Sequence, residues 1–444
     1  MTGTVELPIW LFLLILAFAV VTFASHFLFP SVRWFLRRRM ERVVARINTR
    51  LERPIHPFKL ARRADMIQRL IYDPEVNRAI VDHAQARGVR EDVAFEKARS
   101  YAREIVPSFS ATAYFGFAIR AARWLSKAMY EVRLEHHDAG ALKDIDPDAT
   151  LVYVMNHRSN MDYVLVTYLA ARSSALSYAV GEWARVWPLS GLIRSMGAYF
   201  IRRKSRDDLY RRVLARYVAM ATAGGINQAM FPEGGLSLTG GLTTPRVGLL
   251  KYIVDGWERD GRNVVFVPVA LNYDRVLEDR VLIGAAKSGE RRFRGRLGEA
   301  LLFLVRHVWM RLTGRFRRFG KAAVSFGTPV DLRAFVEARG RRPEDLAELL
   351  MERIGAVVPI LPVPLVAWCL QSGPKTEGEI TTAAHETFRQ SPRSVQAGLK
   401  GLRMRGLITE EEGRVHITPA HADVVAFYAR SIAHLAEVRS AGAR

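Results

Sequence analysis

The chain has 444 residues and a formal net charge of +22, because 66 lysines and arginines outnumber 44 aspartates and glutamates. This length allows two or three domains with an ample hydrophobic core. The single cysteine, Cys369, excludes an internal disulfide framework and a cysteine-rich zinc site. The excess positive charge favours an acidic partner, which would be either an anionic membrane surface or nucleic acid.

The first predicted element is a transmembrane anchor at residues 7–29. These 23 residues include no aspartate, glutamate, lysine or arginine and are long enough to span a bilayer with some tilt. No basic residue precedes them and no Ala-x-Ala site follows, which favours an uncleaved anchor over a signal peptide. The arginines that follow place the body of the protein on the cytoplasmic side of a bacterial inner membrane; they are Arg33, Arg37, Arg38, Arg39 and Arg42. A buried core helix is the alternative.

Residues 33–143 are predicted to form a basic and amphipathic helical region. Residues 33–63 include 11 basic and 2 acidic residues, and residues 287–321 have the same counts. Basic residues beside apolar and aromatic ones suit an anionic leaflet, so we expect both stretches to bind membrane lipid. A solvated helical face is the alternative. The aromatic-rich stretch 109–134 is expected to pack either on the core or on lipid.

From residue 144 the pattern changes to short apolar runs separated by helical segments. The runs occupy residues 151–155, 198–201, 228–231, 264–271 and 322–326. Strands that alternate with helices predict an α/β catalytic domain at residues 144–335, with a central, largely parallel sheet flanked by helices. In such sheets, ligand-binding residues are expected where loops leave the strand ends.

Two further parts complete the predicted organisation. Residues 336–374 form a connecting helix and an apolar segment, in which residues 359–370 are too short to span a membrane and should pack in the core or at an interface. Residues 375–444 form a small helical module. Its helix, Gly-Leu-Ile turn and polar hairpin between Ser394 and Pro419 are typical of a winged helix, a common DNA-binding module. A membrane-tethered DNA-binding regulator is therefore an alternative function, although it leaves the motifs of the α/β region unexplained.

The first chemical motif follows the strand predicted at residues 151–155, where His157 and Asp162 stand five residues apart. Histidine exchanges a proton near neutral pH without help from its surroundings. A turn that leads into a helix would bring the Asp162 carboxylate onto one imidazole nitrogen and leave the other to deprotonate a hydroxyl. In the alternative interpretation, His157 caps a turn and Asp162 lies in a first helical turn, where its charge suits the helix dipole.

The second motif is basic. Arg202 and Arg203 follow the strand predicted at residues 198–201, with Lys204 and Arg206 close behind. The planar fork of a guanidinium group suits a phosphate, because it forms paired charge-assisted hydrogen bonds. A charge run that faces solvent or lipid is the alternative.

The third and fourth motifs are a glycine-containing loop and a strand interrupted by proline. In Pro-Glu-Gly-Gly, residues 232–235, the glycines permit a close approach of backbone to a ligand or a convergence of amides on an oxyanion. An ordinary turn is the alternative, and no Gly-Lys-Ser/Thr follows, which excludes a Walker nucleotide loop. Pro268 interrupts the run at 264–271, which suggests an edge strand, a bulge or a pocket wall.

With these four blocks in this order, the chain resembles the glycerophospholipid acyltransferase family. Residues 156–162 match its His-x4-Asp signature, 197–203 its Gly-x-x-Phe-Ile-x-Arg block, 231–235 its Pro-Glu-Gly block and 267–269 its final block. The similarity is greatest to bacterial membrane glycerol-3-phosphate and dihydroxyacetone phosphate acyltransferases. It implies transfer of a fatty acyl group from a thioester of coenzyme A or acyl carrier protein to the hydroxyl of glycerol 3-phosphate in phospholipid synthesis. It implies no cofactor, no metal and no covalent enzyme intermediate.

The resemblance also implies roles for individual residues. His157 would be the general base and Asp162 the carboxylate that orients it. The residues expected to bind the substrate are Arg202, Arg203, Glu233, Gly234, Gly235, Ser237, Arg246 and Pro268.

One departure bears on the acceptor. Relatives in this branch carry arginines on both sides of the serine that follows Glu-Gly-Gly, whereas this chain has Leu236 and Leu238. Either Arg246 or the basic second block replaces those arginines, or the acceptor is a lysophospholipid or another lipid.

Overall fold

The structure, a computed structural model, describes residues 8–20, 38, 42, 44–49, 51, 53–137, 139–169, 175–181, 189–202, 205, 207–289 and 318–441. Residues 1–55 form one compact unit and residues 56–444 another. In the first unit, residues 9–20 and 44–48 are helical. Within the described ranges no helix has both the length and the apolar character needed to cross a membrane. The anchor at 7–29 extends beyond the described residues, so the anchor and the inner-membrane location stay predictions.

The second unit begins with a group of helices. They are α1 (Pro57–Leu60), α2 (Arg63–Ile71), α3 (Pro74–Arg87), α4 (Glu91–Ile105), a π-helical segment (Thr112–Ala118) and α5 (Ile119–Met129). Helix α3 shows why the boundaries fall where they do: the Asp73 carboxylate accepts from the amide of Glu75, Pro74 occupies the first turn, and Gly88 ends the helix in the left-handed conformation. The described part of the predicted helical region is therefore mostly helical.

Within the described ranges, eight strands form one sheet. They are β1 (Glu131–His137), β2 (Thr150–Met155), β3 (Ser177–Gly181), β4 (Tyr199–Ile201), β5 (Gln228–Met230), β6 (Val264–Tyr273), β7 (Lys321–Phe326) and β8 (Val330–Asp331). Their order is β1-β7-β6-β2-β5-β3-β4, with β8 paired to β6. Strands β6, β2, β5, β3 and β4 are mutually parallel, whereas β7 and β8 run antiparallel to β6. The predicted α/β fold with a largely parallel sheet is confirmed.

Helices connect and cover these strands. They are α6 (Ala139–Lys143), α7 (Met161–Leu169), α8 (Leu189–Ser195), α9 (Asp208–Ala223), α10 (Gly248–Asp255), α11 (Asp279–Ser288), α12 (Leu332–Arg339) and α13 (Pro343–Ala356). Helix α9 begins where the Asp207 carboxylate accepts from the amides of Leu209 and Tyr210, and Arg216 on α9 donates to Asp73 of the helical group at 2.7 Å. The helical group is thereby fixed to the α/β region.

Two expectations about strands need correction. Residues 131–137 were expected at the end of a helical region, but they form β1, an edge strand paired with β7. Pro268 does not mark an edge strand or lie in the wall of the basic cavity described below, because β6 lies in the middle of the sheet. On one side β6 pairs with β2, and on the other its partner changes from β8 at residues 265–266 to β7 at residues 269–273. The carbonyl of Pro268 faces the side of β6 between its pairing with β8 and its pairing with β7, where it accepts from the amide of Gly327 at 2.8 Å. Because Pro268 faces this side, the N–H that proline lacks removes no hydrogen bond between β6 and β2.

The C-terminal part contains α14 (Pro362–Cys369), α15 (Glu377–Phe388), α16 (Pro392–Arg403), the antiparallel hairpin β9 (Ile408–Glu411) and β10 (Arg414–Ile417), and α17 (Ala422–Ala441). Helix α14 is buried, as core packing of residues 359–370 predicts. The predicted order of helix, turn and hairpin is present. Strand β9 and the turn after it carry Glu410, Glu411 and Glu412, which place negative charge where a DNA-binding wing would meet phosphates. The role of this module stays a prediction.

Candidate active site

Three of the four sequence blocks lie at one edge of the sheet. Strands β2, β4 and β5 are parallel, so their carboxyl ends at Met155, Ile201 and Met230 point the same way. The first and third blocks begin at such an end, and the second block contains β4 and the residues just beyond it. The side chain of Asn156 replaces strand pairing just beyond β2, since its amide donates to the Leu271 carbonyl at 3.0 Å and accepts from the Leu271 amide at 2.7 Å. These two hydrogen bonds fix the backbone immediately before His157.

His157 and Asp162 are in direct contact. The imidazole Nδ1 lies 2.9 Å from Oδ2 of Asp162, and both side chains are buried. The turn between them supports the contact, because the amides of Arg158 and Ser159 donate to the same carboxylate oxygen at 2.7 and 3.0 Å. The sequence predicted this pairing, and the structure brings the two groups together; their part in catalysis stays a prediction.

The imidazole is held on two further sides. Its ring stacks on Phe231 with a centroid distance of 3.9 Å and an angle of 21°, and it meets the edge of Tyr163 at 5.5 Å. A carboxylate is an acceptor, so Nδ1 must carry a proton to bond it, which leaves Nε2 of the neutral ring able to accept a proton. The geometry therefore provides a base with one reactive nitrogen.

The other oxygen of Asp162 has a long-range partner. The Tyr273 hydroxyl, at the carboxyl end of β6, donates to Oδ1 at 2.5 Å. Burial, and then the negative charge of Asp162, raise the pKa of Tyr273 well above its ordinary value. The phenol therefore keeps its proton and acts as a donor.

Glu233 and Ser237 join the third block to the first. The Glu233 carboxylate accepts from the amide of His157 at 2.9 Å and from the hydroxyl of Thr243 at 2.8 Å. Burial raises its pKa, and the nearby Arg158 guanidinium opposes that effect. The Ser237 amide donates to the His157 carbonyl at 2.9 Å, while its hydroxyl donates to Gly241 at 2.6 Å. Both residues were expected to bind substrate; the structure places them where they order the histidine turn.

Gly234 lies where a side chain would meet Arg246. Gly234 has a φ of +69°, and a Cβ there would lie 2.7 Å from Cδ of Arg246. The Arg246 amide also donates to the Pro232 carbonyl at 2.7 Å. Gly234 thus allows an arginine to approach the loop, and Gly235 is half-buried, as Gly234 is.

A cavity of about 210 Å³ opens beside this loop. Its polar lining includes Arg202, Arg211 and Arg246, and its apolar lining includes Ile201, Leu214 and Leu249. Two of the arginines are already paired: Arg202 with Glu104 of α4, and Arg211 with Asp208. Arg246 is exposed at the loop and has no carboxylate in salt-bridge range among the described residues. The cavity is therefore a basic pocket whose lining also includes apolar side chains.

Two further residues were predicted to bind the substrate. Arg203 lies outside the described residues, together with Lys204 and Arg206. Pro268 is buried within β6 and does not line the cavity. Binding roles for these two positions stay predictions.

Sequence reasoning missed two residues that hold the histidine turn. Glu278 accepts from the Ser159 hydroxyl at 2.8 Å and from the Asn160 side chain at 3.0 Å, and burial raises its pKa. Arg158 is buried, and its guanidinium donates to the carbonyl of Ser431 in α17 at 3.2 Å. Arg158 directly follows the histidine, so its position in the motif was a usable signal; nothing in the spacing of Glu278 indicated its contact.

Several known proteins are similar to this chain. Residues 134–272 match the family model named Acyltransferase. The chain is similar to the glycerol-3-phosphate acyltransferase of Pseudomonas entomophila (strain L48), with 28% identity over 440 residues that cover 89% of this chain and 52% of that protein. It is also similar to the protein of the same name from Ectopseudomonas mendocina (strain ymp), with 29% identity over 343 residues, 71% of this chain and 40% of that protein.

A crystal structure of the 1-acyl-sn-glycerophosphate acyltransferase from Thermotoga maritima aligns with 56% of this chain and 80% of that chain, at 21% identity and a TM-score of 0.33. The chain spans about half the length of the curated relatives it matches. The resemblance identified from the four sequence blocks is confirmed to this extent: residues 134–272 match the acyltransferase family model, and the chain is similar to proteins named glycerol-3-phosphate acyltransferase.

Proposed function

We propose that this protein transfers a fatty acyl group from a thioester of coenzyme A or acyl carrier protein to the hydroxyl of glycerol 3-phosphate. The observation that carries the proposal is the 2.9 Å contact between His157 and Asp162, with the imidazole packed on Phe231, a residue that also lines the cavity. The names of the curated relatives support the acceptor, although the chain spans about half of their length.

The mechanism follows from the single reactive nitrogen of His157. Nε2 removes the proton from the acceptor hydroxyl while the hydroxyl oxygen attacks the thioester carbonyl. Asp162 stabilises the imidazolium that forms through its bond to Nδ1. The tetrahedral intermediate then collapses to the ester, the carbon–sulfur bond breaks, and the imidazolium returns its proton to the leaving thiolate. A thioester is already activated, so this route needs no covalent enzyme intermediate.

The acceptor's phosphate is assigned to Arg246. It lines the cavity next to Gly234, and among the described arginines of the cavity it is the one outside an ion pair with a carboxylate. A guanidinium fork at this position suits a phosphate dianion. This assignment gives Arg246 the task that the arginines flanking the serine have in related sequences.

A lysophospholipid is the second candidate acceptor. The observation that favours it is the packing of Leu236 and Leu238, which are half-buried against the hydrophobic core at the positions where relatives carry arginine. The lining of the cavity also includes the apolar side chains of Leu214, Leu249 and Leu250. An apolar pocket wall suits an acyl chain better than a small phosphate.

The acceptor is tested with the full chain and labelled palmitoyl-coenzyme A. Glycerol 3-phosphate, dihydroxyacetone phosphate and a lysophosphatidate are supplied separately, and the labelled lipid product is measured. His157→Ala serves as the blank, and His385→Ala, which changes an exposed histidine of α15, is the matched control. We expect product from glycerol 3-phosphate that His157→Ala abolishes and His385→Ala retains. Product from the lysolipid alone would move the assignment to the second candidate, and product that survives in His157→Ala would refute the mechanism.

We also propose that anionic membrane lipid is a partner and that it meets the outer face of residues 112–129. Phe117 and Trp124 are 58% and 51% exposed there, and Arg120, Arg123 and Lys127 are exposed on the same segment. This segment includes no acidic residue. Aromatic and basic side chains on one surface are typical of helices that lie at a lipid interface. Most of the second basic stretch, residues 290–317, lies outside the described residues.

Fluorescence quenching tests this surface. The full chain is reconstituted with phosphatidylglycerol and phosphatidylcholine whose acyl chains are brominated, and tryptophan emission is compared with that in unbrominated lipid. We expect Trp124→Phe to remove a measurable part of the quenching. Trp257→Phe, at a tryptophan buried in the core, should leave the quenching unchanged. Equal quenching in wild type and Trp124→Phe would show that this surface does not contact lipid.

A further inference from the structure

Asp162 is surrounded by hydrogen-bond donors that come from two parts of the chain. Its Oδ2 atom accepts from Nδ1 of His157 and from the amides of Arg158 and Ser159, at 2.9, 2.7 and 3.0 Å. Its Oδ1 atom accepts from the Tyr273 hydroxyl at 2.5 Å. The residue is completely buried, so water has no access to replace any of these donors.

We propose that Tyr273 is a positioning residue for acyl transfer, whose hydroxyl fixes the Asp162 carboxylate and draws charge from it so that His157 remains the group that gains and releases the proton. This inference rests on the proposed function and adds a residue to its machinery. The Tyr273 hydroxyl donates to Asp162 and not to the reacting nitrogen of His157, so Tyr273 acts through Asp162.

The length of the bond indicates its strength. At 2.5 Å, a bond between a phenol and a carboxylate is short and charge-assisted, and such bonds are about twice as strong as neutral ones. A carboxylate with four donors is less basic than one with three, because each donor stabilises the ionised form. The proton on Nδ1 therefore stays on the imidazole when His157 becomes charged.

Tyr273 itself is held rigidly. Its backbone pairs with Ala322 of β7, and its ring packs on Tyr130 with a centroid distance of 5.4 Å. The Tyr130 hydroxyl is directed away from the dyad and donates to the Arg275 carbonyl at 2.7 Å. Strand β6, which is separate from the histidine turn, therefore holds the phenol of Tyr273 against Asp162.

Other titratable groups face the dyad from the elements packed against it. They are Arg158 on the turn, Tyr163 on α7, Glu233 on the loop after β5, Tyr130 before β1 and Glu278 before α11. Among the described residues, Tyr273 is the one that donates to Oδ1 of Asp162. Its removal changes the carboxylate while these other groups stay in place.

The test is the pH dependence of kcat/KM for acyl transfer by the full chain with Tyr273→Phe. Loss of the donor concentrates negative charge on the carboxylate and stabilises the imidazolium, so the midpoint of the acid limb should rise by about half a pH unit or more. We expect kcat to fall by about tenfold while both KM values stay within about twofold, since the change affects the base and not substrate binding.

Tyr130→Phe is the matched control, because it removes a hydroxyl from a buried ring in the same cluster without touching Asp162. It should leave the midpoint unchanged. Site-specific 3-fluorotyrosine at position 273 keeps the size of the ring and strengthens the donor, so it should move the midpoint downward. This variant keeps the test decisive if Tyr273→Phe folds poorly.

The outcomes separate this inference from the function on which it rests. Activity that survives in His157→Ala would refute the proposed function itself. A different result would overturn the role of Tyr273 alone. In that case activity would depend on His157, but the midpoint of the acid limb would be the same in wild type, Tyr130→Phe and the fluorotyrosine protein.

Discussion

The main-chain carbonyl of Phe427, in the C-terminal helix α17, lies directly against Gly240, in the loop that follows Glu233. A Cβ at position 240 would stand 1.9 Å from that oxygen, and Gly240 has a φ of +86°. Arg158, next to the catalytic histidine candidate, also bonds α17 through the carbonyl of Ser431. The C-terminal helix is therefore packed onto both the loop and the turn that form the candidate site.

Gly240→Ala should destabilise the protein and lower its activity. The positive φ and the contact with a backbone oxygen, which has little freedom to move, together predict a loss of about 2–4 kcal/mol in the free energy of unfolding. Urea denaturation measures it. Gly248→Ala, at the start of α10, is the control, because no atom lies within 4 Å of a Cβ there. Equal midpoints for the two variants would contradict the close contact between α17 and the loop.

Arg246→Ala should impair use of the phosphorylated acceptor. Loss of its guanidinium from the cavity is expected to raise the KM for glycerol 3-phosphate by about tenfold and to leave the KM for the acyl thioester unchanged. Steady-state kinetics with each substrate varied in turn supplies both values. Arg212→Ala is the control, since Arg212 is exposed on α9, faces Asp82 and does not line the cavity. A selective rise in the thioester KM would instead assign Arg246 to the donor.

The contacts of His157 and Tyr273 show which parts of the candidate site can be predicted from the sequence. The contact between His157 and Asp162 spans five residues, so a strand, a turn and a helix suffice to predict it. The bonds of Tyr273 to Asp162 and of Glu278 to Ser159 span 111 and 119 residues, and they depend on the order of strands in the sheet. Spacing along the chain carries no information about such contacts.

The strands also differ in how clearly the sequence predicts them. Runs of large apolar residues identified β2 and β6, which are buried along their whole length. Strand β3 has the sequence Ser-Tyr-Ala-Val-Gly, which is short and rich in small residues, and it was missed. Strand β1 is a charged edge strand, whose alternation of polar and apolar residues is weak beside the amphipathic helix that precedes it.

Arg202 and Glu104 form a two-point ion pair, with Nε and Nη2 of the arginine at 2.9 and 2.6 Å from the two carboxylate oxygens. These hydrogen bonds raise the pKa of Arg202 above its ordinary value. Arg202→Ala should lower the free energy of unfolding by about 2 kcal/mol, because the buried carboxylate loses its cation while the arginine itself is partly exposed.

A double-mutant cycle isolates this pair. Arg202→Ala combined with Glu104→Gln should recover roughly half of the loss, because the uncompensated charge is gone. Purely additive effects in chemical denaturation would mean that the ion pair does not stabilise the junction of α4 and β4.

Lys59 has a buried amine with no carboxylate in salt-bridge range among the described residues. Its Nζ donates to the carbonyl of Ala175 at 2.6 Å and lies 4.7 Å from the centre of the Phe109 ring. Burial lowers the pKa of Lys59 from 10.5 to about 7. The unfolded chain, where the amine has its ordinary pKa, therefore binds more protons than the folded protein between about pH 7 and pH 10.5.

That difference fixes the sign of the pH dependence. Because the unfolded state binds the extra proton, stability contributed by this group rises with pH across the window and is lost as pH falls toward 7. From pH 7.5 to 9.5, the free energy of unfolding of the wild type should gain about 1.4 kcal/mol per pH unit more than that of Lys59→Met, whose side chain carries no proton. Urea denaturation at several pH values measures both slopes. Lys400→Met, at an exposed lysine of α16, should keep the wild-type slope. Parallel curves for wild type and Lys59→Met would show that Lys59 has an ordinary pKa and stays charged in the fold.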